Sequence, residues 1–139
     1  MDPCIQWLDR HRDTGIFLLR LFVGFRLLAG VVDNIFSWPR LLEFRDFLQA
    51  FGFPVPLVCA ILSVYAQAIA ALLIIAGICF RYAAMVMIIN FTVALIMVHW
   101  GQKLEEMTTP LLLLFIFTLF LFQGAGSLTL TAWNRKKAV

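Results

Sequence analysis

The sequence predicts an all-α integral membrane protein: a bundle of four transmembrane helices, with a short amphipathic extracytoplasmic helix between the first and second spans. Three observations predict this fold class. Four apolar segments are each about as long as a helix that crosses a bilayer. The composition is 63% hydrophobic and only 14% charged, with a mean hydropathy of +0.94, far more apolar than a soluble domain. Most charged residues lie near the chain ends and between the segments.

The four predicted spans cover residues 15–32, 55–80, 82–100 and 109–123. The first is not a cleaved signal peptide, because it carries arginines and lacks a small-x-small cleavage site before Asp33. Short connections join the last three spans, so we expect these neighbours to be antiparallel. No linker rich in Pro, Gly or Ser divides the chain, which indicates a single membrane domain over residues 1–139.

The long connection between the first two spans predicts a helix of its own over about 39–51. Pro39 suits a first helical turn and Gly52 suits a stop. Apolar residues recur at helical spacing at Leu41, Phe44, Leu48 and Phe51. We expect this amphipathic helix on the outer membrane surface or folded over the mouth of the bundle, either as a cover for a site or as a simple connector.

The distribution of positive charge predicts the orientation. An even number of spans puts both chain ends on one side, and six basic residues fall there: Arg10, Arg12, Arg81, Arg135, Lys136 and Lys137. The other side has three: Arg40, Arg45 and Lys103. The positive-inside rule therefore places both termini in the cytoplasm. The net charge of +3 forms no basic stripe, so nucleic acid is not an expected partner.

Two arginines lie inside the first span, where each costs about 2.5–3.5 kcal/mol on insertion scales. Arg20 is close enough to the boundary to reach the headgroups with its long side chain. Arg26 is deeper and needs a partner, a wet cavity or an anionic ligand. Helical spacing places Asp33 and Asn34 near the face that carries Arg26.

Amides and a hydroxyl on the next two spans extend the candidate site. Ser63 and Gln67 share one face of the second span, and Asn90 lies on the small-residue face of the third. They either line a polar pocket with an arginine or hold helices together by hydrogen bonds. The candidate ligand-binding residues are therefore Arg20, Arg26, Asp33, Asn34, Ser63, Gln67 and Asn90.

No residue is predicted to be catalytic or to bind a metal. His99, Glu105 and Glu106 lack the tight spacing of metal ligands. With only two histidines, a haem held by two buried histidines is excluded, and we expect no covalently bound cofactor. The three cysteines, Cys4, Cys59 and Cys79, form no CxxC pair and are predicted to be free thiols.

The sequence resembles the DoxX family of small bacterial inner-membrane proteins from about residue 15 to 131. The resemblance is carried by "LLRLFVG" (18–24) with Gly30, by "AQAIAALLIIAGICFRYAAM" (66–85), by "HW" (99–100) and by "GAGSL" (124–128). The residues that match the family pattern are Arg20, Gly24, Gly30, Gly77 and Arg81. The chain departs from that pattern at Gln67, where the family often has Glu, and at Asp33–Asn34, where a Lys is frequent.

The resemblance implies a four-helix membrane bundle in the bacterial inner membrane that serves a quinone-linked or thiol-oxidising system. Gln67 supplies no protonatable carboxylate, which disfavours an independent quinone reductase. We therefore expect a redox subunit or accessory protein without catalytic activity of its own, with a pocket for a quinone or another small polar ligand. The alternatives are an assembly or scaffold protein without a ligand, and a small-molecule carrier. Expected partners are the bilayer, a soluble or membrane oxidoreductase, and further copies of the chain.

Overall fold

The computed structural model describes residues 2–137 as seven helices joined by short loops, with no strand among these residues. The helices are α1 (Pro3–Arg10), α2 (Arg12–Phe36), α3 (Trp38–Ala50), α4 (Pro56–Ala76), α5 (Phe80–Met97), α6 (Leu104–Gln123) and α7 (Leu130–Lys137). By length and composition, α2, α4, α5 and α6 are each able to cross a membrane. The predicted all-α fold with four spans is confirmed.

The predicted spans differ from the helices mainly at their ends. The second span was expected to continue to residue 80, but α4 ends at Ala76. Gly77 adopts a positive φ of 72°, and its N–H closes the last turn on the carbonyl oxygen of Leu73. The turn 77–79 then leads directly into α5. At the other boundary, α6 begins at Leu104 rather than at 109, because Glu105 and Glu106 suit the positive N-terminal end of a helix.

The long connection holds α3, close to the predicted range 39–51. Leu41 and Leu48 of its apolar stripe are buried, and Phe44 packs beside them. Since α3 contacts both α2 and α4, it is folded onto the bundle rather than held away from it. Its extracytoplasmic location stays a prediction. The two short end helices, α1 and α7, have no counterpart in the expected elements.

The helices enclose two cores. In the first, or four-helix core, apolar side chains of all four spans meet around Ile74, Met87, Phe117 and Phe120. Ala70, Ala71, Ala83 and Ala84 belong to it as well, and their small side chains let α4 and α5 approach closely. The second, or crossover core, lies between α2, α3 and α4: Val31, Leu41, Leu48, Ala60 and Val64.

The bundle has two ends, which position the candidate sites. The termini end contains α1, the start of α2, the turn 77–79, the loop 124–129 (the closing loop) and α7. The crossover end contains α3 and the connections 51–55 and 98–103. Between the ends, large apolar side chains such as Phe25, Leu62 and Phe115 are exposed. A surface of this kind fits the hydrocarbon of a bilayer, so the chain is a multi-pass membrane protein.

Candidate ligand-binding site

Arg20 is the one fully buried charged side chain among the residues that the structure describes. Its Nε donates a hydrogen bond to the carbonyl oxygen of Ile74 (3.0 Å), and its Nη2 donates to that of Ile75 (2.9 Å). Its Nη1 donates to the carbonyl oxygens of Ala125 (2.9 Å) and Leu128 (2.7 Å) in the closing loop. Four hydrogen bonds to backbone oxygens thus join three separate parts of the chain.

The local structure explains why an arginine fits this place. The last carbonyl groups of a helix have no partner within it, and α4 ends directly beside Arg20. A guanidinium carries five N–H donors in a planar fork, which a lysine cannot reproduce. The rings of Phe17 and Phe80 flank the charge, with centroids 5.7 and 5.5 Å from Cζ. Arg20 therefore closes the termini end, rather than extending to the headgroups as one expectation had it.

The segments that resemble the family pattern converge at the closing loop. Gly77 leaves room for Arg20, because a Cβ at Gly77 would lie 2.6 Å from Nη2. The Nη2 atom of Arg81 lies 3.5 Å from the position that a Cβ on Gly124 would take. Asp13 holds the loop from the other side, accepting a hydrogen bond from the N–H of Ser127 (3.1 Å). Residues distant in sequence thus build one structural clamp.

Three of the predicted site residues form a bridge between α4 and α5. Ser63 Oγ donates a hydrogen bond to Asn90 Oδ1 (2.9 Å), and Gln67 Nε2 donates to Ser63 Oγ (3.1 Å). All three side chains are half-buried. The bridge lies just beyond Met87 of the four-helix core. It joins α4 and α5 by polar contacts. Amides that hold helices together make contacts of this kind, and a ligand-binding role for the three residues stays a prediction.

Arg26 and Asp33 lie elsewhere, on the exposed side of α2. The guanidinium of Arg26 lies alongside Gly30, with Nη1 3.5 Å from the place of an added Cβ. Within residues 2–137, neither Arg26 nor Asp33 has a side-chain hydrogen bond or an ion pair. The structure therefore brings Arg20 and Arg26 to different places and puts neither in the Ser63–Gln67–Asn90 bridge. Ligand-binding roles for the two arginines stay predictions.

The seventh predicted residue, Asn34, lines a pocket of about 380 Å³ at the crossover end, here called the Asn34 pocket. The lining residues come from α2, α3 and α4: Asn34, Ile35, Phe36, Trp38, Leu41, Ile61 and Tyr65. The side-chain amide of Asn34 and the hydroxyl of Tyr65 make no hydrogen bond to any described residue. The pocket is thus lined by aromatic residues and by two residues whose polar groups are not used elsewhere in the described chain.

Tyr65 is the functional candidate that the sequence did not reveal. It lies on a different face of α4 from Ser63 and Gln67, so it does not belong to the polar face that the sequence predicts. The apolar stripe of α3 was the signal that the sequence offered for Tyr65. A helix that packs on α2 and α4 through such a stripe encloses side chains of those two helices beside it. Phe36, Trp38 and Tyr65 are 85%, 58% and 48% exposed, so the pocket is open at the surface of the bundle.

A second pocket of about 350 Å³ lies at the termini end between Arg20, the closing loop and α7. The guanidinium on its wall already donates to four carbonyl groups, so it has little left for a ligand. Among residues 2–137, no three His, Cys, Asp or Glu side chains are grouped to hold a metal ion. The Asn34 pocket is therefore the better candidate for a small molecule.

Comparison with known proteins identifies the family. The comparisons with curated proteins and with solved structures give no match. The DoxX family model matches residues 15–100, more than half of the 139 residues. The matched range includes Gly77 and all seven ligand-binding residues predicted from the sequence, Arg20 among them. With this match and a bundle of four apolar helices, the chain belongs to the DoxX family.

Proposed function

We propose that this DoxX protein is a membrane subunit or accessory protein of a redox system, and that it holds a quinone-like headgroup in the Asn34 pocket. The observation that carries the proposal is the pairing of two unused polar groups, the Asn34 amide and the Tyr65 hydroxyl, in one aromatic pocket. It has no catalytic activity of its own. Its task is to bring the ligand to an oxidoreductase partner.

The chemistry of the pocket supports a ring with carbonyl or hydroxyl groups. An asparagine amide donates and accepts hydrogen bonds, and a tyrosine hydroxyl does both. Asn34 Nδ2 donates to one quinone carbonyl, and the Tyr65 hydroxyl donates to another. After reduction, the hydroxyl groups of the quinol donate to Asn34 Oδ1 and the Tyr65 oxygen instead. The indole of Trp38 offers a flat face for the ring.

Access from the bilayer also supports this ligand. A quinone with an isoprenoid tail is dissolved in the hydrocarbon, and the exposed Phe36 and Trp38 at the pocket lie on its route. The first turns of α3 form one wall, so α3 serves as the cover rather than as a simple connector. In this proposal the chain lies in the bacterial inner membrane with both termini in the cytoplasm, as the positive charges predict.

Binding of a short-chain quinone to the protein in lipid nanodiscs tests the proposal. The variants are Asn34→Leu and Tyr65→Phe, each of which removes one free polar group. Since a hydrogen bond contributes about 0.5–1.5 kcal/mol, each variant is expected to raise the Kd by about two- to tenfold. Binding is followed by quenching of tryptophan fluorescence, and the quinone that co-purifies is measured after solvent extraction.

The chain offers matched controls for both variants. Gln49→Leu removes an amide from an exposed residue of α3 that does not line the pocket, and Tyr82→Phe removes a hydroxyl from an exposed residue of α5. Both controls should bind the quinone as the wild type does. If the wild type binds no quinone, or if the pocket variants and the controls weaken binding equally, the proposal is wrong.

A further inference from the structure

Arg26 is an exposed charge in the middle of a membrane span. α2 runs from Arg12 to Phe36, and the rise of about 1.5 Å per residue places Arg26 about 15 Å from its nearer end. Ionisable residues at such depth are rare, and they face a cavity or pair with another group. Within the described part of the chain, Arg26 has no such partner. The partner must therefore come from another molecule.

The direction of the Arg26 side chain narrows the choice of partner. The guanidinium of Arg26 lies beside Gly30, one turn toward the crossover end. Asp33 lies on the same side of α2, about 20° round the helix from Arg26, and it is exposed as well. Seven residues, about 10 Å along the axis, separate the two positions. The opposite charges thus lie on one face but too far apart for an ion pair within the helix.

A second copy of the chain supplies both missing charges. In a two-fold dimer with its axis along the membrane normal, the same residues of both α2 helices lie at equal depth. The guanidinium of Arg26 is at the level of Gly30, and the carboxylate of Asp33 leans back toward the helix N-terminus. The remaining vertical gap is about 4 Å, which side chains can close across an interface. Two-fold symmetry makes this pair twice.

The backbone between the charges allows close approach. Gly30 has nothing within 4 Å of an added Cβ except the Arg26 side chain, and the neighbouring Ala29 is small and exposed. We propose that Arg26, Ala29, Gly30 and Asp33, here called the Arg26 face, form the interface with a second copy of this chain. Reciprocal Arg26–Asp33 ion pairs hold that dimer together.

Energy transfer between donor- and acceptor-labelled copies in phosphatidylcholine vesicles tests this proposal over a range of protein densities. The wild type should associate. Arg26→Asp and Asp33→Arg, made singly, place like charges together and should each lower the association constant about tenfold or more. The double variant R26D/D33R restores opposite charges in exchanged positions, so it should recover the association of the wild type.

Gly30→Leu adds bulk at a position with free space in the monomer, so it should weaken association while the helical content stays unchanged. Phe25→Leu is the control, since Phe25 is exposed and lies about 100° round α2 from Arg26. A monomeric wild type, including one whose arginine binds a lipid phosphate, overturns the proposal. So does a double swap that fails to restore association, or a Gly30→Leu protein that associates as the wild type does.

Discussion

Arg20 and Arg26 lie six residues apart on one helix and have opposite surroundings. Arg20 is fully buried and donates hydrogen bonds to four backbone carbonyl groups. Arg26 is exposed on the outer surface of the bundle, and its guanidinium lies alongside Gly30 of the same helix. One arginine has its partners inside the chain, whereas the other has none among residues 2–137.

The difference shows that the cost of a charge in a membrane protein depends on the acceptors around it, rather than on its depth alone. The end of α4 and the closing loop after α6 supply Arg20 with four backbone carbonyl oxygens as acceptors. Arg26 faces a helix surface whose carbonyl groups are used within α2 itself. Stability should therefore depend strongly on Arg20 and weakly on Arg26, and three experiments test this contrast.

Arg20→Leu should have the largest effect. It removes a donor from four carbonyl groups. The carbonyl of Ile74 keeps the N–H of Gly77, and each of the other three that is left without a partner costs about 1–3 kcal/mol. We expect a loss of about 3 kcal/mol or more in the free energy of unfolding, measured by denaturant titration in detergent micelles. Arg20→Lys should lose less, because it keeps the charge and part of the donors. An Arg20→Leu protein as stable as the wild type would contradict the clamp.

Gly77→Ala tests the clamp while the charge of Arg20 is kept. A Cβ at Gly77 would meet Arg20 Nη2 and Thr129 at 2.6 Å, and φ is +72°. We expect a loss of about 2 kcal/mol in the free energy of unfolding, since alanine disfavours the left-handed region. Gly30→Ala is the matched control, because there is open space beside Arg26. It should be neutral or stabilise by up to about 1 kcal/mol.

Arg26→Leu should have the smallest effect on the unfolding of the monomer. It removes an exposed side chain with no partner in the described chain, so the free energy of unfolding should change by less than about 1 kcal/mol. The measurement is made in dilute micelles, where copies do not associate. A loss as large as that of Arg20→Leu would show that Arg26 has an internal partner after all.

The sequence was sufficient for the main fold, because membrane spans follow from the length of apolar segments. It also located the helix in the long connection from Leu41, Leu48 and their spacing. It missed α1 and α7, because the prediction rested on apolar segments long enough to cross a membrane and these helices have only eight residues each. It also placed the end of α4 too late, because the apolar run continues through Gly77 while the backbone turns there.

The candidate site was less predictable, because a sequence shows which residues share a face of one helix but not what covers that face. The Ser63–Gln67–Asn90 contacts could be expected from facing polar residues. The partners of Arg20 could not, since they are backbone carbonyl groups and any residue type carries one. Tyr65 and Asn34 line the same pocket only because α3 packs beside them.

The contacts between Arg20 and the closing loop have a further consequence, because the chain is synthesised from its N-terminus. The acceptors of Arg20 lie 54, 55, 105 and 108 residues further along the chain. During translation α2 is made before any of them exists, and the loop is among the last segments to be made. A chain interrupted before residue 124 leaves Arg20 with half of its acceptors inside the bundle. The arginine thus makes the stability of the first span depend on the loop that follows the last one.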